Sequence, residues 1–374
     1  LIVSVRSFKW QLFNAARRLL RVSDWQPQSN HIVAGVSGNM PSNRLSKVLD
    51  WYLPGYEINA LSCAQLKCKA DIYLVLDMEQ INFPSLLRKS ALSYIVDPQF
   101  FSTAEVSNWN SMLYSLLSPS EKKEYQDRSV KNYTEFSKRH QDCSSAYIYG
   151  SGPSVEDYLQ WPKGKRDVSI ICNSLVKNDE FLAYVRPDAV CFADPVFHFS
   201  HNPYAMQFRA DLLACLQKYD CYAFIPAFTM PLMCRHFPEW SERFIGINFD
   251  NHFNLPTADK LSVKGTDNIL TLFMLPLAAS MCKTLNLLGM DGKNPKSGAS
   301  YFWAHHDAFQ YVNLIQKAQE AHPSFFRDRS YEGYSHQHEK TLEHMIRWLE
   351  RKQIKINVLN PSFIPALKHR YYTK

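Results

Sequence analysis

The stretch 146-AYIYGSGPSVEDYLQW-161 decides the fold. An apolar, β-prone run stops at Gly150-Ser151-Gly152-Pro153-Ser154 and resumes as a polar segment of helical character. Gly150 and Gly152 permit backbone angles and close approaches that a Cβ would block. Pro153 suits the first turn of a helix, and backbone N–H groups at such a start can face an anion. The motif is neither the dinucleotide fingerprint nor a P-loop, which needs Lys and then Ser or Thr after its last glycine. On this stretch alone, a plain tight turn and a phosphate seat both remain open.

Outward from the turn the same punctuation repeats. A strand over 167-DVSIICN-173 is followed by a helix over 179-DEFLAYV-185 and a strand over 188-DAVCFAD-194. Later come 219-YDCYAFIPA-227, a helix from about 268, the strand 284-TLNLLGMDG-292, a helix over about 339–352 and the strand 354-IKINVLN-360. Strands alternating with helices predict an α/β fold with a doubly wound, mainly parallel, Rossmann-like sheet. Ligands of such sheets bind beyond the carboxyl ends of the strands, so those ends hold the candidate site residues.

The second strand ends at Cys172-Asn173-Ser174 and the third at Asp194-Pro195. Asn173 offers donor and acceptor atoms for a base or ribose, and Asp194 is a hydrogen-bond acceptor or a carboxylate catalyst. The alternative is that Asn173 and Asp194 cap the segments that follow them. After the strand near 284 comes 289-GMDGKNPKSGASYFWAHHDAF-309, with Lys293, Lys296, Tyr301, His305 and His306. A glycine-rich loop with lysines and a tyrosine hydroxyl can close over a phosphate and stabilise a leaving group; a surface loop with inward-packed aromatics is the other reading. In 331-YEGYSHQHEKTLEHMIRWLERKQIKINVLN-360, His336 and His338 stand in front of an amphipathic helix. A histidine there can serve as a general base, or can be a solvated or capping residue. No DxD and no HExxH pattern occurs, so no metal ligands are assigned.

The 374 residues imply two domains. A hydrophobic share of 46% and an aromatic share of 14% exclude disorder over most of the chain. The net charge of +7 favours anionic partners such as nucleotide phosphates, acidic sugars or an anionic membrane surface; without a basic run or a reader motif it does not indicate nucleic acid. The nine cysteines, Cys63, Cys68, Cys172, Cys191 and Cys282 among them, are scattered and never spaced CxxC. They read as reduced, mostly buried thiols of a cytoplasmic protein. No run of 18 apolar residues suggests a spanning helix, and the start lacks a signal-cleavage pattern and reads as an internal beginning.

Residues 1–29 form a first segment, with Phe8, Trp10, Phe13, Leu19 and Leu20 set among Arg6, Lys9, Arg17, Arg18 and Arg21. Such a basic amphipathic helix suits peripheral contact with a membrane surface or packing on its own domain. Residues 30–140 read as a small α/β lobe with a polar helical connector over 109–143, and residues 141–374 as the nucleotide-sugar-binding catalytic domain.

The order of these segments resembles the bacterial lipooligosaccharide sialyltransferases that use CMP-activated sialic acid. Their pattern runs from a strand and G-N-G-P-S through a C-N and an N-P strand end to G-I-D-F-Y with a downstream tyrosine, closing on H-S-K before a helix and a strand. This chain has G-S-G-P-S at 150–154, C-N at 172–173, D-P at 194–195, G-M-D-G-K at 289–293, S-Y-F at 300–302 and His336-Gln337-His338 ahead of the last helix and strand. The resemblance covers roughly residues 145–362 and rests on order and spacing more than on identity.

The resemblance implies that Gly150, Ser151, Gly152, Pro153 and Ser154 form a CMP-binding turn and that Asn173 and Ser174 help hold the nucleotide or donor sugar. It implies that Tyr301 and Lys293 stabilise the departing phosphate, and that His336 takes the proton from the acceptor hydroxyl. Two departures stand out: Asp194 occupies the place of an asparagine, and Lys293 that of a phosphate-contacting tyrosine. The family's T-S-G segment corresponds to Gly265-Thr266-Asp267-Asn268 here.

The expectation is therefore a metal-independent, inverting glycosyltransferase without cofactor. It passes a 2-keto sugar acid from a CMP-linked donor to an acceptor glycan or glycolipid of the bacterial surface, at the inner face of the membrane, with residues 30–140 binding the acceptor. The alternatives are a CMP-Kdo transferase of lipopolysaccharide or capsule synthesis, retaining if Asp194 is a nucleophile; a pterin pyrophosphokinase-like phosphotransferase; and a non-catalytic nucleotide- or glycan-binding module.

Overall fold

Ahead of residue 100, four strands form one parallel sheet. The computed structural model describes residues 27, 29–38, 42–62, 65–66, 70–77, 90–99, 104–292, 307–327 and 331–372; the basic amphipathic segment expected over 1–29 lies almost wholly outside them. A first unit, residues 1–122 and 319–328, contains β1 (His31–Ser37), β2 (Glu57–Ser62), β3 (Ala70–Val75) and β4 (Ser90–Ile95) in the order β2-β1-β3-β4. All three pairings are parallel. The central strands β1 and β3 are apolar runs buried on both faces, as a covered parallel sheet requires. Helices α1 (Ser42–Tyr52) and α2 (Ala104–Leu116) meet through Tyr52 stacked on Trp109, with ring centroids 5.1 Å apart. Residues 319–328 join this unit because His322 and Glu105, both buried, pair at 3.0 Å and the Ser324 amide donates to the Pro98 carbonyl at 3.2 Å.

The two compact units part at residue 122. The polar stretch 109–143 is two helices, divided where the Ser118 amide donates to the Glu121 carboxylate at 2.8 Å and the Glu121 amide to Ser118 Oγ at 3.2 Å, a reciprocal capping box. The second helix, α3 (Pro119–Arg139), has a buried stripe of Ser129, Asn132, Tyr133 and Phe136. Asn132 Nδ2 donates to the carbonyls of Ser241 and Phe244 at 3.0 and 2.9 Å, and Tyr133 Oη donates to the Pro256 carbonyl at 2.6 Å. The helix read as a connector is thus a layer of the second unit.

That unit, residues 123–318 and 329–374, carries β5 (Ala146–Tyr149), β6 (Val168–Cys172), β7 (Ala189–Cys191), β8 (Tyr222–Pro226), β9 (Phe244–Asp250), β10 (Ser262–Lys264), β11 (Thr284–Leu288) and β12 (Lys355–Val358). The sheet order is β10-β9-β8-β7-β6-β5-β11-β12, with every pairing parallel. Between strands run α4 (Asp179–Val185), α5 (Pro203–Tyr219), α6 (Met230–His236), α7 (Leu275–Met281), α8 (Val312–Ala321) and α9 (Tyr331–Glu350). The chain steps outward from β5 to β10, then returns through residues 270–281 to lay β11 on the other side of β5. The strand order therefore reverses between β5 and β11, and that reversal opens a crevice at their carboxyl ends.

The cysteine expectation is corrected at one pair. Cys143 and Cys282 form a disulfide with Cα atoms 5.7 Å apart, across 139 residues of chain, a separation suited to a bridge. Cys143 precedes β5 and Cys282 precedes β11, so the adjacency of two strands far apart in sequence brings the sulfurs together, which spacing along the chain cannot reveal. Cys172, Cys191, Cys215, Cys221 and Cys234 are free and buried; Cys63 and Cys68 lie outside the described residues. Among the described residues no helix is long and apolar enough to cross a membrane.

Candidate functional site

The turn after β5 sits in the crevice. The Gly150 amide donates to the Leu288 carbonyl at 2.8 Å and the Gly152 amide to the Gly289 carbonyl at 2.9 Å, so the two strand ends stay zipped beyond the regular ladder. A Cβ on Gly150 would lie 2.6 Å from the Gly289 carbonyl oxygen; one on Gly152 would lie 2.7 Å from the same oxygen and would run into the Asp291 carboxylate. Gly289 itself has φ +75°, which favours glycine.

Pro153 opens a 3₁₀ segment, Pro153–Gln160, and its start is already engaged. The Ser154 amide donates to Asp291 Oδ2 at 3.2 Å and Ser154 Oγ donates to the same oxygen at 2.8 Å. The amide expected to seat a phosphate holds the protein's own carboxylate. Burial raises the Asp291 carboxyl above the usual carboxylate range, the bonds from Ser154 pull it back, and the charge of Asp157 adds to the rise. Residues after β12 support this loop from behind: Asn360 Oδ1 accepts from the Gly289 amide at 3.2 Å and Ser362 Oγ donates to the Met290 carbonyl at 2.6 Å. Asp291, Asn360 and Ser362 were not singled out from sequence. The only sign of Asp291 was its place in the G-M-D-G-K run.

At the end of β6, Asn173 is half-buried with φ +50°. This left-handed backbone is uncommon outside glycine and is best tolerated by Asn and Asp; such residues cluster at ligand clamps. Ser174 is buried, and its hydroxyl donates to Gln310 Oε1 at 3.1 Å. The same oxygen accepts from Tyr204 Oη at 2.6 Å, and Lys177 Nζ donates to the Gln310 carbonyl at 2.8 Å. Ser174, Tyr204 and Lys177 thus anchor the segment around Gln310. At the end of β7, Asp194 Oδ1 accepts from the amides of Val196 and Phe197 at 2.8 and 3.1 Å. The Asp194 carboxylate caps the turn that begins at Pro195, which is the capping alternative of the sequence reading. Lys293 and Tyr301, with His305 and His306, lie outside the described residues.

The two histidines differ sharply. The helix expected from 339 starts at Tyr331, so His336 and His338 lie in its first turns and not in front of it. His336 is exposed. His338 is only 7% exposed, its ring stacks on Tyr334 at 6.2 Å, and its Nδ1 has no partner among the described residues. Tyr334 is fixed in turn by Asn268, whose Nδ2 donates to Tyr334 Oη at 2.8 Å. Burial pushes the His338 imidazole down to about 4. Burial, with Arg209 beside it, pushes His198 down to about 3.

Both histidines are neutral in the folded protein at pH 7 and take up protons more readily when unfolded. Their contribution to stability is complete above about pH 6.5 and is lost as pH falls through 6.5 towards the folded values, at up to about 1.4 kcal/mol per pH unit for each. Urea unfolding of the protein and of His338→Gln at pH 7, 5.5 and 4.5 checks this: the variant is expected to lose less stability on acidification. Equal losses would show that His338 does not titrate with unfolding.

The described residues thus form a parallel-sheet crevice walled by two glycine turns, with a hydrogen-bonded carboxylate on its floor and a half-buried Asn173 at the neighbouring strand end. No known family's sequence profile and no curated protein matches the chain. Among solved structures it is similar to the monofunctional alpha-2,3-sialyltransferase Cst-I of Campylobacter jejuni, at 15% identity over 62% of this chain and 80% of that one, with a TM-score of 0.37. It is similar also to the sialyltransferase CstII of the same organism in complex with cytidine-5'-monophosphate, at 16% identity over 60% of this chain and 86% of that one, with a TM-score of 0.31. The complex of CstII with CMP-3FNeuAc gives 15% identity, 61% and 85% coverage and a TM-score of 0.34.

Proposed function

We propose that the protein is a glycosyltransferase that takes a 2-keto sugar acid of the sialic type from its CMP-activated donor and passes it to a glycan hydroxyl. One observation carries the reading. The motifs G-S-G-P-S, C-N, D-P and G-M-D-G, more than 130 residues apart at the extremes, fall at the carboxyl ends of β5, β6, β7 and β11 of one parallel sheet. Two of the four flank its switch point, where a nucleotide binds in such sheets.

Asp291 refines where the parts of the donor go. A carboxylate accepts hydrogen bonds and repels phosphate, so the floor beside Ser154 receives a ribose hydroxyl, as acidic residues do in related crevices. The phosphate then falls to Lys293 and Tyr301. The bond from the sugar C2 to the phosphate oxygen breaks with its electron pair leaving on CMP, and positive charge develops on the sugar ring. Lys293 and Tyr301 stabilise the phosphate as its charge grows, without a divalent metal. His336 takes the proton of the attacking acceptor hydroxyl, whose oxygen forms the new bond to C2 with inversion.

A thermal-shift screen of the full chain with CMP, CDP, UDP, GDP and ATP tests the reading. CMP is expected to raise the melting temperature, by an amount that follows mass action and corresponds to about 2.7 kcal/mol at a hundred times its Kd. A rise with ATP and Mg²⁺ and none with CMP would sink it. Incubation with CMP-sialic acid and CMP-Kdo then identifies the sugar by which donor is consumed.

A further inference from the structure

The first unit repeats the device of the second. Its order β2-β1-β3-β4 also reverses beside its first strand, so a second crevice lies at the carboxyl ends of β1 and β3. β1 runs into Ser37-Gly38, and Gly38 has φ +97°. A Cβ there would lie 2.9 Å from Asp77 Cβ and 3.0 Å from the Asp77 amide nitrogen, so the turn after β1 is pressed against an aspartate after β3, as Gly152 is against Asp291. The Leu76 amide donates to the Ser37 carbonyl at 2.8 Å and prolongs the strand pairing into the turn. Asp97 follows β4, only 7% exposed.

Ser37 is the observation that points to a ligand. It is 6% exposed, and its hydroxyl has no hydrogen-bond partner among the described residues. A buried, unsatisfied hydroxyl is destabilising, and one at a strand end is accounted for where a ligand supplies its partner. Ser37 lies at the carboxyl end of β1, and among the described residues the strand ends Ser37, Gly38, Asp77 and Asp97 bring two carboxylates and no basic side chain there.

We propose that the crevice between β1 and β3 is a binding site for a neutral saccharide, with Ser37 Oγ and the Asp77 carboxylate taking its hydroxyls. The carboxylates repel phosphate and accept from sugar hydroxyl groups, and the Ser37 hydroxyl can donate to a sugar oxygen or accept from a sugar hydroxyl. If the transferase reading holds, on which this role rests, the saccharide is the acceptor glycan.

The full chain is titrated with lactose, N-acetyllactosamine and N-acetylglucosamine, read by saturation-transfer NMR, and separately with CMP. At least one saccharide is expected to bind, and Asp77→Asn and Ser37→Ala are each expected to weaken it about tenfold, the scale of one hydrogen bond to a charged or buried group, while leaving the CMP response intact. Ser37→Ala separates a binding role from a structural one, because removing an unsatisfied hydroxyl leaves the melting temperature equal or higher. Gly152→Ala is the converse control, losing CMP and keeping the saccharide. Saccharide binding that ignores both substitutions, or no binding by any of the three sugars, overturns the site; sugar binding without any CMP response sinks the donor reading and leaves the site standing.

Discussion

Gly152→Ala is expected to abolish the CMP response and to lower the melting temperature of the protein by several degrees. The added methyl has no free space: it meets the Gly289 carbonyl oxygen at 2.7 Å and the Asp291 carboxylate. The first neighbour is backbone, fixed by its own ladder bond to the Gly152 amide, and the second is held by Ser154. Neither can step aside as the end of a flexible side chain does, so the turn must lift away from β11. Overpacking of this kind costs about 1–3 kcal/mol, and in a unit of this size each kcal/mol lowers the melting point by about 2–4 °C. The functional loss is larger than the loss of stability, because the lifted turn carries the Ser154 amide and hydroxyl out of line with Asp291. Asp291→Asn separates the two effects: it relieves no clash and keeps an acceptor oxygen for Ser154, so it is expected to melt within a few degrees of the parent and to bind CMP more weakly. A Gly152→Ala protein that bound CMP normally would remove the crevice from the nucleotide site.

The sheet was legible because its strands are short apolar runs that stop abruptly at Gly150, Asn173, Asp194 and Gly289, and a covered parallel sheet writes that pattern directly into the chain. The two strands not foreseen show where such reading fails. β9 contains Gly246 within its buried half, and glycine weakens a strand signal. Its reason is tertiary: a Cβ there would lie 3.0 Å from the Ala227 backbone and 3.1 Å from Ser129 Oγ on α3. β10 is three residues long, too short to register as a pattern. The early start of α9 likewise depends on Tyr334 meeting Asn268, since Gly333 alone would argue against helix there. The site was legible as a series of strand ends but not as a set of contacts. Ser154 and Asp291 are separated by 137 residues, and nothing local announces that a carboxylate, and not a ligand phosphate, meets the Ser154 amide. Asp194 carried two readings, carboxylate catalyst or cap, and only the direction of its oxygens separates them.

His336→Ala is expected to lower kcat by about 10²–10⁴, the range for loss of a general base, with the CMP-induced shift unchanged. The neighbouring His338 is the competitor for that role, and physical chemistry decides between them. Burial that holds His338 near 4 leaves it a poor proton acceptor at neutral pH, because a base works best when its proton affinity matches the operating pH. Its stacking on Tyr334 and its 7% exposure further shield it from an acceptor hydroxyl arriving from solvent. His336, two residues away and exposed on the same turns of α9, can be reached. Truncating an exposed side chain of this kind shifts stability by no more than about 0.5 kcal/mol, so a fall in turnover cannot be charged to unfolding. Added imidazole is expected to restore part of the activity of His336→Ala, which a purely structural loss would not allow. If His338→Gln instead removes turnover while His336→Ala keeps it, the proton goes to the buried ring, and the acceptor must enter beside Tyr334 to deliver it.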